Sequence, residues 1–416
     1  MEDNLASKNT AFAALAFPEF RNYLFGRFLF IMGLRMIATM VGWWIYELTK
    51  DPLALGFVGL AEVIPALGLA LYAGHVIDLN DKRTMIRVSV ALYGVCALLL
   101  TFVSTQYFFF NAGKSLVVGS IYLVLFLMGA IRAFSGPSFN ATIASLVPRQ
   151  VLPKAITLNS GTWLMASVFG HAAAGFLIAF FGNTTTLTVI SSLIIVSFFL
   201  LSRIKSKPPV SRVSEQKTWE SVKEGLRFVF KTKEVLGALA LDLFAVLFGG
   251  AVALVPVFAR DILKVDAIGF GWLNAANDVG AISIILLLAL FPLKRNQGKI
   301  LMFVVAGFGL CIITFGLSQI FWLSFFALML GGILDGISVV IRGTILQMKT
   351  PDHMRGRVMS VNSMFINSSN ELGQLESGVA ARLMGTVPAV IFGGTMTVLI
   401  VIFTWFKAPA LRKLEY

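Results

Sequence analysis

Charged residues set inside long apolar runs are the first places in this sequence where chemistry could occur. Arg35, Glu62, Arg132, Asp242, Asp278, Asp335 and Glu371 each interrupt a stretch of mostly Leu, Ile, Val, Phe, Ala and Gly. A carboxylate in such a setting can take up and release a proton, and an arginine can tune that carboxylate. Holding a charge at the centre of a lipid core costs roughly 3 kcal/mol on insertion scales, so each one needs a reason. A structural ion pair is one reason and a proton or solute pathway is another. Glu371 is the leading protonatable site; Glu376, five residues on, points about 140° away on a helix, so the two do not form a dyad. His171 could relay protons or be a hydrogen-bonded packing residue among Ala and Gly.

Other chemistries lack their residues. His75, His171 and His353 are scattered, Cys96 and Cys311 sit in apolar runs without CxxC spacing, and no HExxH, Walker loop or GxSxG occurs. No metal site, nucleophile–base pair, nucleotide domain or cofactor is indicated. An enzyme is not expected, and the work available is that of an ion or solute gradient.

The elements that must carry these charges are membrane helices. The 416 residues are 57% hydrophobic and 13% charged, with mean hydropathy +0.84, and a spanning helix needs about 20 apolar residues. Twelve spans fit, centred near Arg35, Pro65, Gly94, Leu127, Val168, Leu193, Val246, Val279, Phe308, Gly332, Asn370 and Met396. With both termini in the cytoplasm, loop Lys and Arg number 25 on that side against 5 on the other, a strong positive-inside bias. Arg27, Arg35, Arg132 and Arg342 fall within spans. This distribution accounts for the net charge of +13 without nucleic acid, and a basic face suits an anionic inner leaflet. No secretory signal is read before the first span.

A repeat underlies the pattern. At a spacing of 203, Gly129-Ala-Ile-Arg132 matches Gly332-Ile-Leu-Asp335, Pro148 matches Pro351, Lys154 matches Arg357, and Asn159-Ser160 matches Asn362-Ser363. Gly170 and Gly175 match Gly373 and Gly378. At 213, Leu55-Gly56-Phe57 echoes Ile268-Gly269-Phe270, and at 212 Lys82-Arg83 echoes Lys294-Arg295. The expected fold is all-α and integral to the membrane, with two pseudo-symmetric six-helix bundles over residues 1–202 and 235–416. A linker over 203–234 joins them. Such parallel duplication is the layout of alternating-access transporters. In the linker, Pro208-Pro209 precedes Trp219, Val222, Leu226 and Phe230 at helical spacing, amid Lys217, Lys223, Arg227 and Lys231. It reads as a short amphipathic helix on the inner leaflet, with a solvated connector as the alternative. Gly74, Gly129, Gly170, Gly175, Gly373 and Gly378 suit close helix contacts.

Several stretches resemble a known family. Gly74-His-Val-Ile-Asp78-Leu-Asn-Asp-Lys82-Arg83 is similar to the loop 2–3 signature of the major facilitator superfamily, and Arg132-Ala-Phe-Ser135-Gly136 to its helix 4 signature. Gly170-His171-Ala-Ala-Ala174-Gly175 resembles the antiporter signature of helix 5, with His171 in place of Pro and Ala174 in place of Gly. Asp242 to Gly250, Pro351-Asp-His-Met-Arg355-Gly356-Arg357-Val and Ser369-Asn-Glu371-Leu-Gly373 with Ser377-Gly378 resemble the enterobactin-exporter and macrolide-efflux branch. The resemblance implies proton coupling through Arg132. It also implies a cytoplasmic gate of Gly74, Asp78, Lys82 and Arg83 against the start of the eleventh helix at Arg355, Gly356 and Arg357. Gly170, His171, Gly175, Gly373 and Gly378 would form the moving helix contacts.

The expected function is a proton-coupled secondary exporter of amphiphilic organic solutes of the drug or siderophore type. It would be a monomer in the cell membrane, in contact with its lipids. An uptake symporter, a lipid flippase and a non-transporting scaffold or sensor stay open as alternatives.

Overall fold

The computed structural model describes residues 13–206, 218–291, 295–351 and 354–415. The elements are α1 (Pro18–Thr49), α2 (Pro52–Leu79), α3 (Lys82–Val103), α4 (Gln106–Thr142), α5 (Leu152–Ser202), α6 (Thr218–Lys231), α7 (Lys233–Phe248), α8 (Ala267–Leu290), α9 (Gln297–Leu317), α10 (Phe321–Lys349), α11 (Arg355–Met384) and α12 (Thr386–Lys407). No strand occurs among the described residues. Ten stretches are long and apolar enough to cross a bilayer. The 51 residues of α5 supply two crossings, broken at Gly182, whose φ of +73° only glycine adopts without strain. The other missing span is α11: 30 residues reach about 45 Å, but Arg355, Arg357, Glu371, Glu376 and Arg382 make it too polar for an apolar window. Twelve crossings result among the described residues.

The chain divides into two compact units, Met1–Val41 with Ile64–Glu215 and Gly42–Val63 with Gln216–Tyr416. Thus the ends of α1 and α2 that meet at Lys50 pack with the second unit, and the rest of both helices with the first.

In the first unit, Phe30 stacks on Phe139 at 5.4 Å and meets Tyr93 edge-on at 5.2 Å. The Tyr23 hydroxyl donates to the Phe139 carbonyl at 2.9 Å, and Ser197 Oγ to the Gly26 carbonyl at 2.7 Å. In lipid such packing and hydrogen bonding hold helices together, because tails are as apolar as side chains. The second unit has a core of Val235, Leu239, Leu301, Val305, Ile341, Ile345, Val358 and Val361 from α7, α9, α10 and α11.

The duplication is visible within each unit. α11 starts 203 residues after α5, and the matched Asn159 and Asn362 are both buried. A methyl on Gly170 would stand 2.7 Å from Arg35 Cβ and 2.8 Å from the Met32 carbonyl of α1. One on its repeat mate Gly373 would stand 2.9 Å from the Val246 carbonyl of α7. Close glycine contact thus joins α5 to α1 and, equivalently, α11 to α7.

Candidate functional site

A polar cluster at membrane depth lies in the second unit. On α10, Asp335, Ser338 and Arg342 recur at three and seven residues, so one face carries all three. That face meets Asp242 of α7. Arg342 forms an ion pair with Asp242 and lies 3.7 Å from Asp335. Its Nε donates to the Ser338 carbonyl at 3.3 Å and hydroxyl at 3.2 Å. Arg342 and Asp242 are 5% and 6% exposed, whereas the Asp335 side chain is 40% exposed. Asp335 faces a narrow recess walled by Val304, Val305 and Phe308 of α9, with Asp242 and Ser338 also on its lining. Two carboxylates therefore share one guanidinium, and one of them is reachable.

Asp242 and Asp335 are thus brought together, and the residue that joins them, Arg342, was read from the sequence only as a span residue. The available signal was its seven-residue distance from Asp335.

Glu371 makes a contact within α11. It is 7% exposed and accepts from Gln374 Nε2 at 2.8 Å. Its turn of α11 packs on α2, where a methyl at Gly59 would stand 2.7 Å from the Glu371 carbonyl. Glu376 is half-buried beside the Ser377 hydroxyl at 3.5 Å. Glu62 on α2 and Asp278 on α8 are also half-buried.

The Lys50 end of the second unit holds a network of charged and aromatic side chains, of which only Arg260 and Arg382 entered the loop-charge count. Arg260 lies 4.8 Å over the Trp43 ring and 3.2 Å from Glu47. The Tyr46 hydroxyl donates to Asp261, and Arg382 pairs with Asp51. Arg260 and Asp261 are presented by a π-helical turn, Phe258–Ile262; such turns are rare and cluster at functional sites. Below them α2 and α11 touch backbone to backbone, since a methyl on Gly378 would stand 2.9 Å from Gly56 Cα.

In the first unit, the Arg35 guanidinium lies 4.8 Å over Trp163. His171 Nδ1 and Thr39 Oγ1 are 2.6 Å apart. Gly175 is buried and Arg132 half-buried.

At the basic end, the backbone of Asp78 lies within α2, but its side chain, like that of His75, is outside the described residues, and so is the expected pairing of Asp78 with α11. Gly74 and Gly356 have open space where a methyl would point, so neither is the close contact that suited Gly74 in the sequence. The carboxylate described here is Asp81, which caps α3. It accepts from Arg83 N at 3.3 Å, Thr84 Oγ1 at 3.0 Å and Ser206 Oγ at 2.9 Å. Burial alone would raise its pKa, but these hydrogen bonds outweigh it and hold Asp81 below the usual carboxylate range. Arg83 Nη2 donates to the Ser202 carbonyl at 2.7 Å, and Lys82 begins α3.

Arg357 pairs with Glu224 of α6, and Arg355 Nη2 donates to the Gln347 carbonyl at 3.4 Å. α6 is amphipathic as expected, but it docks on α11: a methyl on Gly225 would stand 3.0 Å from the Arg357 carbonyl, and Val229 is fully buried.

The profile of the transmembrane secretion effectors, a family of the major facilitator superfamily, matches residues 9–415. The chain belongs to that family. The multidrug efflux pump Tap of Mycobacterium tuberculosis is 24% identical over 374 residues, covering 86% of this chain and 85% of Tap. The enterobactin exporter EntS of Escherichia coli is 24% identical over 343 residues, covering 82% and 80%. Among solved structures, a D-xylose–proton symporter matches with a TM-score of 0.73 at 12% identity, over 96% of this chain and 98% of that one. The nucleoside transporter NupG matches with 0.72 at 12%, over 93% and 99%. These likenesses establish the all-α major facilitator fold. The chain is a membrane transporter and not an enzyme.

Proposed function

We propose that this transporter exports amphiphilic organic solutes in exchange for protons, by alternating access. It would work as a monomer in the inner membrane, surrounded by its lipids, with both termini in the cytoplasm. The observation that carries the proton assignment is the Asp242–Arg342–Asp335 cluster. With both acids ionised it has net charge −1, and one added proton makes it neutral. Such a change alters the hold of Arg342 on α7 and α10, the two helices it bridges. Asp335, the acid open to the recess, is the point of proton entry, and Glu371 is a second acid on the route. Glu62 and Asp278 are further polar groups of the proton pathway, and Arg132 is a polar group of the solute pathway. The efflux relatives and the 25-to-5 loop charges support the outward direction and the orientation.

The test is solute flux in proteoliposomes under an imposed proton gradient, using a panel of drug-like and siderophore-like amphiphiles. Solute leaving as protons enter is expected, and Asp335→Asn should abolish this coupling while solute binding persists. Solute and proton moving together would make the protein a symporter. Flux absent under every gradient would favour a scaffold or sensor.

A further inference from the structure

The first unit is poor in carboxylates: residues 20–46, 64–77 and 82–214 contain no Asp or Glu. Arg27 lies nine residues into α1, roughly 14 Å from its start. Its Nη1 donates to the Tyr23 hydroxyl at 2.5 Å and its Nη2 contacts Asn140 Oδ1 at 3.4 Å. The guanidinium also lies 5.8 Å from the Tyr23 ring and 5.2 Å from the Phe139 ring. All these partners are neutral, and Nε is buried without a hydrogen bond. A cation held at this depth, among the described residues, by neutral groups alone is a candidate for an outside anion.

The surroundings suit one. Arg132, Gly136 and Asn140 recur every four residues on α4, so they share a face about 12 Å long. Gly136 and Asn140 are exposed, and a methyl on Gly136 would meet nothing within 4 Å. The glycine leaves a notch one turn from the Arg27–Asn140 pair. A guanidinium has five N–H donors in a fork that matches a carboxylate or sulfonate.

We propose that Arg27, with Asn140, binds the anionic group of the transported amphiphile, whose apolar body lies in the notch at Gly136. The ligand class is a carboxylate, sulfonate or phosphate on an apolar skeleton. This rests on the solute-transport reading and narrows its substrate. An anionic lipid headgroup shares the chemistry and is the competing source.

Calorimetry on the full chain in phosphatidylcholine nanodiscs tests it, with naphthalene-2-sulfonate and 2-naphthylmethylammonium as the probe pair. The sulfonate should bind tighter than the ammonium by roughly tenfold or more, the scale of a hydrogen bond to a charged group. Arg27→Gln should remove that preference, Arg27→Lys should keep part of it, and Gly136→Leu should weaken the sulfonate with Arg27 intact. Equal binding of the two probes, or a preference that survives Arg27→Gln, overturns the proposal. So does complete loss of sulfonate binding in phosphatidylglycerol discs, which would assign the site to lipid. Binding needs no gradient, so failure here alongside intact proton-driven flux would strike this site alone.

Discussion

Arg342→Met should be among the most damaging single changes in the second unit. The side chains of Arg342 and Asp242 are 6% and 8% exposed, so removing the cation leaves a carboxylate buried without its partner. Breaking a buried pair from one side typically costs about 3–5 kcal/mol, whereas replacing both members with neutral groups of similar size is often near neutral. Arg342→Met combined with Asp242→Asn should therefore recover much of the loss, with a coupling of about 2–3 kcal/mol. Asp335→Asn should cost less than about 1 kcal/mol, because Asp335 stands 3.7 Å from the guanidinium and is 40% exposed. Unfolding in mixed micelles by increasing dodecyl sulfate, followed by tryptophan fluorescence, gives all four values. Additive costs in the double variant would refute the reasoning, since the pair would then not be a closed electrostatic unit. An Asp335→Asn loss as large as that of Arg342→Met would refute the ranking of the two acids.

Gly170→Val and Gly373→Val should each destabilise by about 1–3 kcal/mol, because even the first added carbon would stand only 2.7–2.9 Å from the facing helix; an unchanged melting temperature would mean that these helices are not in contact. Gly356→Ala, with open space around it, should stay within about 0.5 kcal/mol in the same assay. Arg260→Ala should cost roughly 1–2 kcal/mol by removing both the Trp43 stack and the Glu47 pair, and full retention of stability would show the network to be idle. Asp81→Ala should cost about 0.5–2 kcal/mol as a lost helix cap. Because the folded pKa of Asp81 is lowered from 3.8, its contribution is complete above that value and is lost as pH falls through the depressed one. A stability difference between wild type and Asp81→Ala that persists below this window would contradict the hydrogen-bonding account.

Which parts of this were legible in the sequence follows from how local each property is. Span positions depend on some twenty consecutive residues, so composition found them, including α11 despite its charges. The duplication is legible at Gly170 and Gly373, where an added side chain would meet the facing helix. The Thr39 partner of His171, 132 residues away in the chain, was not legible from its Ala and Gly neighbours. The pairing of Arg342 with Asp242 was not legible, because it depends on the rotation of α10 against α7 across 100 residues of chain. The docking of α6 escaped for the same reason: Gly225 reads as a weakness in an amphipathic helix, yet it is what lets α6 rest on the Arg357 carbonyl. At the Lys50 end, a π-helical turn aims Arg260 and Asp261, and no hydrophobic periodicity signals such a turn.

The charges are distributed unevenly, and that constrains the proposed mechanism. Arg27, Arg35 and Arg132 lie in the first unit, while Glu62, Asp242, Asp278, Asp335, Glu371 and Glu376 lie in the second with Arg342. In this scheme the proton-binding acids and the Arg27 site belong to different units, and an element that belongs to both can couple them. Two helices qualify. α1 carries Arg27 and Arg35 in the first unit and Trp43, Tyr46 and Glu47 in the second; α2 has Gly59 against the Glu371 turn and continues past Ile64 into the first. α1 runs unbroken across the unit boundary, each turn hydrogen-bonded to the next, so displacement can pass along its axis, whereas Pro65 removes one such bond from α2 at that boundary. A protonation step that shifts the Arg260–Asp261 turn would thus reach Arg27 along α1, whose Trp43, Tyr46 and Glu47 hold that turn.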